Sequence, residues 1–418
     1  MQMTRRVVVT GFGIISSVGN NCEEVLKSLV TNTSGIEYVP RWKELGLKSQ
    51  VSGTIKHIDI PEACESIGLK SRFMDVTSVY AVLASEEAIK KSKLDKNSLG
   101  SESTACFVSN GVCDTDPIKR ASFRIYGNNS REGKGTPYDI TRCMGSSCSA
   151  NLTNYYNIKG RSFSITSACA SSLHNVGYGY ELLSNSKYNM VLSGGAEDAS
   201  ASLAMMFDNM RIAISKGFNY HPTKASRPYD KHRDGFVLSG GSGIVILEEL
   251  EHAKARDAPI YAEIIGFGAT SDGYDIIHPH PDGDGAYRCM IQALKASGCS
   301  AQEIDYINTH ATSTYAGDIA EAMAIKKLFQ DQLVPISSTK SLTGHGVGAA
   351  GVQELIYCIL MLQNEFICAS SNIDEMDQAF KTLNILTKNR NAKINTIMTN
   401  SFGFGGTNAS LIIKQYYP

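Results

Sequence analysis

Four residues of this chain have the types and surroundings for acyl chemistry on sulfur: Cys169, His310, Lys340 and His345. Cys169 lies in Phe163-Ser164-Ile165-Thr166-Ser167-Ala168-Cys169-Ala170-Ser171-Ser172, where a β-prone run gives way to small residues and then to an amphipathic run from Leu173 to Leu183. That pattern predicts a thiol in the first turn of a helix, where unpaired backbone N–H groups carry partial positive charge and ease the loss of its proton. A buried structural thiol is the simpler reading for any single one of eleven cysteines. The small neighbours Ser167, Ala168, Ala170 and Ser171 argue otherwise, because they leave room for a substrate and let N–H groups point at a developing oxyanion.

His310 sits in Asn308-Thr309-His310-Ala311-Thr312-Ser313-Thr314, at the end of a predicted strand. Open α/β sheets place their sites at such strand ends, although His310 alone reads equally well as a core histidine. Thr312 and Thr314 alternate, so both hydroxyls can face one cleft. Lys340 and His345 share Ser338-Thr339-Lys340-Ser341-Leu342-Thr343-Gly344-His345-Gly346. The flanks of Lys340 are small and uncharged, and a lysine partly buried there needs a carboxylate. Glu321, on the helix expected after His310, is the best candidate. Two other patterns carry little. Gly346 to Gly351 fits G-x-G-x-x-G, but too much chain separates it from the preceding strand for a dinucleotide turn. Ser337-Ser338-Thr339-Lys340 fits S-x-x-K without its companion motifs. No metal-ligand spacing of His and Cys occurs, and no metal is expected.

The elements that must position these residues read as a duplication. Arg6–Thr10 is a predicted strand running into Gly11-Phe12-Gly13, and Tyr261–Ile265 is another running into Gly266-Phe267-Gly268. Thr104–Val108 and Ile304–Ile307 form a second matching pair. The segment after Ile165 has a late counterpart in Ile397-Met398-Thr399, followed by Asn400 to Gly406. Strands alternating with helices imply parallel sheets covered on both faces, so two stacked halves predict a five-layered α/β/α/β/α body. The halves are expected at 1–255, with the nucleophile, and 256–418, with both histidines and the lysine. The stretch Ala121–Tyr138, rich in Gly, Asn, Arg and Lys, reads as a surface excursion.

Composition excludes several classes. Lys plus Arg, 40, balances Asp plus Glu, 41, so no whole-chain field favours nucleic acid or membrane. The cysteines form no Cys-x-x-Cys, which reads as reduced thiols in a cytoplasmic protein. No window reaches the ~20 apolar residues of a membrane span. The longest apolar helix candidate, Val352–Leu362, is broken by Gln353, Glu354 and Tyr357.

The Ala-Cys-Ala-Ser-Ser elbow, His-x-Thr-Ser-Thr, Thr-Lys-x-x-x-Gly-His and the terminal Asn-Ser-Phe-Gly-Phe-Gly-Gly-Thr-Asn together resemble the β-ketoacyl-acyl-carrier-protein synthases of bacterial fatty-acid synthesis. The likeness covers essentially the whole chain. It is nearest the type I branch at Phe207-Asp208-Asn209-Met210, Tyr229–Phe236 and Gly351–Glu354. The resemblance implies a thiolase-like fold, a homodimer and ping-pong condensation of malonyl-acyl-carrier protein with an acyl chain. By that resemblance Cys169 is the nucleophile, His310 and His345 bond the malonyl thioester carbonyl, and Lys340 paired with Glu321 orients the site. The N–H groups of Cys169 and Phe404 form the oxyanion hole, with Phe404 as gate and Phe402 nearby. Thr312 and Thr314 hold the phosphopantetheine arm of the carrier, the protein having no cofactor of its own. Gly111 leaves room at the floor of the acyl tunnel. Lys70, Arg72, Arg131 and Lys134 dock the acidic carrier protein. Asn308, Glu354, Thr399 and Asn400 match positions that can hold a structural cation.

Three departures bear on substrate preference: Ala311 in place of a usual glycine, Tyr315 in place of a common proline, and a long polar stretch, Asp275–Asp284, with His278 and His280. A thiolase would want a second cysteine late in the chain, and Phe402–Asn408 has none. A non-catalytic chain-length partner need not keep Cys169, His310 and His345. A synthase of a specialised polyene or polyketide pathway would use the same residues.

Overall fold

The first strand, β1 (Val7–Ile15), is buried along its whole length. It runs through Gly11 and Gly13 rather than stopping before them. The reason is the helix above it, α1 (Val76–Ser92). A Cβ on Gly11 would lie 2.3 Å from the carbonyl oxygen of Ala88, and one on Gly13 2.1 Å from that of Ala84. The second Gly-Phe-Gly does the same work. Strand β6 (Ala262–Ser271) passes through Gly266 and Gly268 under α4 (Asp284–Ser297), where a Cβ would meet the carbonyls of Ala293 at 2.3 Å and Cys289 at 2.2 Å. Each glycine pair exists so that a helix backbone can lie directly on the sheet. This computed structural model describes residues 5–127, 135–210 and 214–417.

The remaining elements repeat in order. The first half continues with β2 (Thr104–Ser109), α2 (Ser147–Tyr155), β3 (Ser162–Phe163), α3 (Ser171–Asn185), β4 (Met190–Glu197) and β5 (Gly241–Glu249). The second continues with β7 (Tyr306–Asn308), α5 (Tyr315–Phe329), β8 (Pro335–Ser337), α6 (Ala350–Gln363), β9 (Thr396–Gly403) and β10 (Thr407–Lys414). Strand order is β3-β2-β4-β5-β1 in one half and β8-β7-β9-β10-β6 in the other, the same winding twice, with a short extra strand, Asn384–Ile385, parallel to β8 at the second half's outer edge. In both, the first three of these strands are parallel and the last two pair antiparallel. The half-sheets are not separate: β1 and β6 pair antiparallel at Val7–Ile264, Val8–Glu263 and Val9–Ala262.

Helix α3 packs on β4 of its own half and on β6 and β10 of the other, while α6 contacts β5 and β9. These two helices form the middle layer, with α1 and α2 outside one half-sheet and α4 and α5 outside the other. The fold is therefore the expected thiolase-like α/β/α/β/α body. Helix α6 is buried on every side from Ala350 to Leu362, which is why its sequence is apolar all round. No helix of the described residues is long and apolar enough to cross a membrane.

Topology corrects one internal match. The counterpart of the nucleophile segment, β3 into α3, is β8 into α6, which carries Lys340 and His345. The Ile397–Gly406 stretch instead belongs to the β9–β10 hairpin, the counterpart of β4–β5. The excursion after residue 116 begins as a helix, Asp116–Tyr126, with only Pro117 buried.

Candidate active site

Cys169 occupies a single tight turn, Ala168–Ala170, just before α3. Ala168 holds φ 49°, a left-handed conformation uncommon for a side-chain-bearing residue. The turn is held from both flanks: Ser171 Oγ accepts the Ser167 N–H at 2.9 Å, and Ser401 Oγ donates to the Cys169 carbonyl at 2.9 Å. The small residues around it also serve packing. A Cβ on Gly351 would lie 2.7 Å from Leu173 Cβ, and Ser172 Oγ accepts the Val352 N–H at 3.0 Å. Helices α3 and α6 thus meet at their N-termini.

His310 follows β7. Its own N–H donates to Glu321 Oε1 at 3.0 Å, and the Ala311 N–H donates to Oε2 at 2.8 Å. Asn400 Nδ2 donates to Oε1 at 3.1 Å. Glu321 therefore pins the histidine loop by its backbone and is not the partner of Lys340. That partner is Glu354 on α6, whose Oε1 accepts from Lys340 Nζ. Both oxygens of Glu321 are already engaged by N–H groups, and the lysine turns toward the middle layer instead. The missed signal was Glu354 itself, a lone carboxylate in the apolar run of a fully buried helix, which demands a cation. Burial still pushes Glu321 and Glu354 up to about 7, with Lys340 pulling both back.

His345 is fixed by its backbone, its N–H donating to the Val237 carbonyl at 2.7 Å. Its ring meets that of His310 edge-on at 5.2 Å, and Phe236 packs on its other side at 5.4 Å. Cys169 Sγ and a ring nitrogen of each histidine all lie within 4.8 Å of one another. Both imidazoles are held well below their ordinary 6.5, first by burial and then by Lys340, so both are neutral near pH 7. The thiol does not follow the expected direction. Burial pushes Cys169 up to about 12, while Lys340 and the N–H groups of Phe404 and of Cys169 itself act to lower it. Desolvation outweighs the helix start, so the unloaded site holds a thiol beside two neutral bases.

The three residues open on a cleft of about 410 Å³ that also takes in Thr312, Thr314, Phe402 and Phe404. The two threonine hydroxyls lie 3.0 Å apart. The departing segments border the same cleft through Ile277, His278 and Tyr315. Gly111 does not line it. Its N–H donates to the buried carboxyl of Glu197 at 2.8 Å, and a Cβ there would meet that group at 2.7 Å and the Gly348 N at 2.9 Å. The neighbour Val112 instead joins the apolar cluster around Cys169, with Leu203, Ala204, Phe236 and Val347. Lys70 and Arg72 are exposed, Arg72 stacking over Phe73 at 4.8 Å. Arg131 and Lys134 lie outside the described residues. Asn308 Oδ1, Thr399 Oγ1 and Glu354 Oε2 are buried oxygens without a hydrogen-bond partner.

A twice-wound α/β body that brings a thiol from one half against two neutral imidazoles from the other defines a thiolase-like acyltransferase. The chain matches the family models for the β-ketoacyl synthase N-terminal domain over residues 4–253 and C-terminal domain over residues 261–374. It is 48% identical to 3-oxoacyl-[acyl-carrier-protein] synthase 1 of Haemophilus influenzae across 99% of both chains. A β-ketoacyl synthase from Burkholderia phymatum superposes with a TM-score of 0.92 at 31% identity, covering 99% of this chain and 100% of the other. A chain from a type II PKS acyl-carrier protein in complex with its ketosynthase, bound to the hexaketide, gives 0.90 at 26%, with 99% and 100% covered. The chain belongs to the β-ketoacyl synthase family.

Proposed function

We propose that the chain lengthens acyl chains by two carbons, condensing malonyl-acyl-carrier protein with an acyl group held on Cys169 and releasing CO2. The observation that carries this is the convergence of Cys169, His310 and His345 within 4.8 Å. In the first half-reaction the thiol passes its proton to a neutral imidazole as sulfur attacks the acyl thioester. The N–H groups of Cys169 and Phe404 face the oxyanion that forms, each worth about 3 kcal/mol of barrier. The carrier thiol leaves with that proton, and the acyl tail lies among Val112, Leu203 and Ala204. In the second half-reaction the malonyl thioester loses CO2, and the electron pair moves onto its carbonyl oxygen as an enolate. Neutral His310 and His345 donate hydrogen bonds to that oxygen. The α-carbon then attacks the Cys169 thioester and expels the thiolate, which takes one proton from solvent to restore the thiol. Storing the acyl group on the enzyme gives ping-pong kinetics.

Lys340 acts through charge: held by Glu354, it disfavours imidazolium at both histidines. Thr312 and Thr314 hold the pantetheine arm, and Phe404 with Phe402 closes the cleft. The carrier protein docks through the exposed Lys70 and Arg72, with Arg131 and Lys134 as the further basic residues of the same docking set. The chain works as a cytoplasmic homodimer, supported by the two-residue edge strand β3, whose outer edge has no partner among the described residues. The division near residue 255 belongs to the same proposal, supported by the shared five-strand order on either side. Asn308, Thr399 and Glu354 offer an all-oxygen set that fits a hard cation, which would share Glu354 with Lys340. Incubation with malonyl-carrier and a ladder of acyl-carriers, with products weighed by mass spectrometry, tests the whole reading. Condensation with no acyl length would favour a binding role, and a polyketide-only preference would favour the specialised pathway.

A further inference from the structure

We propose that Cys169, His310 and His345 also form a three-ligand site for a borderline-soft divalent cation, of which Zn²⁺ is the type, and that this ion closes the unloaded enzyme to acyl transfer. The sulfur and a nitrogen from each ring lie within 4.8 Å of one another, the only such ligand group among the described residues. Zinc binds cysteine sulfur at about 2.3 Å and imidazole nitrogen at about 2.0–2.1 Å, and three protein ligands with one open position are its catalytic-type shell. Tetrahedral angles then put ligand atoms roughly 3.3–3.6 Å apart. Ligation closes the widest present spacing of 4.8 Å by roughly 1.2–1.5 Å.

Among the described residues, the sulfur faces only the N–H groups of Phe404 and of Cys169 itself, and three of the four ring nitrogens are unengaged. Nδ1 of His310 and both ring nitrogens of His345 are buried without a hydrogen-bond partner, so turning either ring to a metal breaks no such bond at these nitrogens. The step balances simply: the thiol gives up its proton, the thiolate binds the ion, and one H⁺ leaves to solvent. The fourth position opens onto the cleft and takes water or an incoming thiolate. Lys340 is the opposing charge, offset by Glu354 at its Nζ. An acyl group on Cys169 removes the thiolate ligand, so metal and acyl chain exclude each other.

The test reads binding, not turnover, so it stands or falls apart from the condensation reading. Metal-free full-length protein is titrated with Co²⁺ as the spectroscopic probe and with Zn²⁺ by equilibrium dialysis. One equivalent should bind, with a thiolate-to-Co²⁺ charge-transfer band and the intense visible bands of a tetrahedral ion. Cys169→Ala and His345→Ala should each weaken binding at least tenfold, while Cys113→Ser, at a partly exposed thiol outside the cleft, should leave it unchanged. In the unaltered protein, one equivalent of Zn²⁺ should slow iodoacetamide alkylation of Cys169 at least tenfold, read by peptide mass, and this arm needs no variant to fold. Absence of the charge-transfer band, unchanged Cys169 alkylation at saturating Zn²⁺, or binding that survives Cys169→Ala would each overturn the proposal.

Discussion

Lys340 and Glu354 form a buried ion pair, each side chain 2% exposed, and that pair ties the segment carrying His345 to the middle-layer helix α6. Losing one partner of such a pair typically costs about 3–5 kcal/mol, because the other charge is left without compensation. The two losses differ here. Glu354, already pushed up to about 7, readily takes a proton when the lysine is gone, whereas neutralising an amine at pH 7 lies further from the ordinary amine range of about 10.4. Glu354→Leu should therefore destabilise the fold more than Lys340→Met in urea titrations. A double-mutant cycle should give a coupling above about 1 kcal/mol for Lys340 with Glu354 and a smaller one for Lys340 with Glu321. Larger coupling to Glu321 would reverse the assignment.

Cys169→Ala should abolish condensation while malonyl-carrier decarboxylation continues. The histidines proposed to meet the enolate come from other segments and keep their backbone anchors at Glu321 and Val237. Separate assays of CO2 release and product mass check this, and simultaneous loss of both activities would contradict the division of labour.

Stability should fall between pH 6.5 and about 8. Burial pushes Glu197 up to about 8 and Glu321 up to about 7, from an ordinary 4.5. Above 4.5 the unfolded chain has lost these protons while the native state keeps them, so the native state binds more and its stability declines as pH rises through 7 to 8. The depressed histidines act oppositely, costing native stability as pH drops below 6.5, and are silent above it. The thermal midpoint should thus drop from pH 6.5 to 8.5, and less so in Glu197→Gln. A midpoint that rises over this interval would refute the assignment.

Charge reversal at Lys70 and Arg72 should raise KM for carrier-bound substrates several-fold and leave KM for a short soluble thioester unchanged. The effect should shrink with added salt, since exposed charges are screened over about 8–10 Å at 0.1–0.15 M. Equal changes for both substrates would remove this patch from carrier docking.

Gly268→Ala should destabilise by at least the ~1–3 kcal/mol of an overpacked core, since its Cβ would meet the Cys289 carbonyl at 2.2 Å. Gly46→Ala, where a Cβ meets nothing within 4 Å but φ is 79°, should cost about 1 kcal/mol from backbone conformation alone. Chemical denaturation of both variants measures the difference.

Local pattern was enough to single out one thiol and two histidines that converge on a single cleft, and the repeated Gly-Phe-Gly. Each reflects a demand visible within one short segment: room beside a nucleophile, a strand end, or a helix backbone lying on a strand. The sequence alone also carried the five-layered duplication, because matched strands recur in matched order. Tertiary structure decided what depends on distance between remote segments. It paired Lys340 with Glu354, because the N–H groups of His310 and Ala311 and the amide of Asn400 had already taken the oxygens of Glu321. It put Val112, not Gly111, in the apolar cluster around Cys169, because Gly111 is pressed against Glu197 and Gly348. It raised the thiol instead of lowering it, because desolvation is set by everything packed around an atom, and sequence neighbours are only a small part of that surrounding.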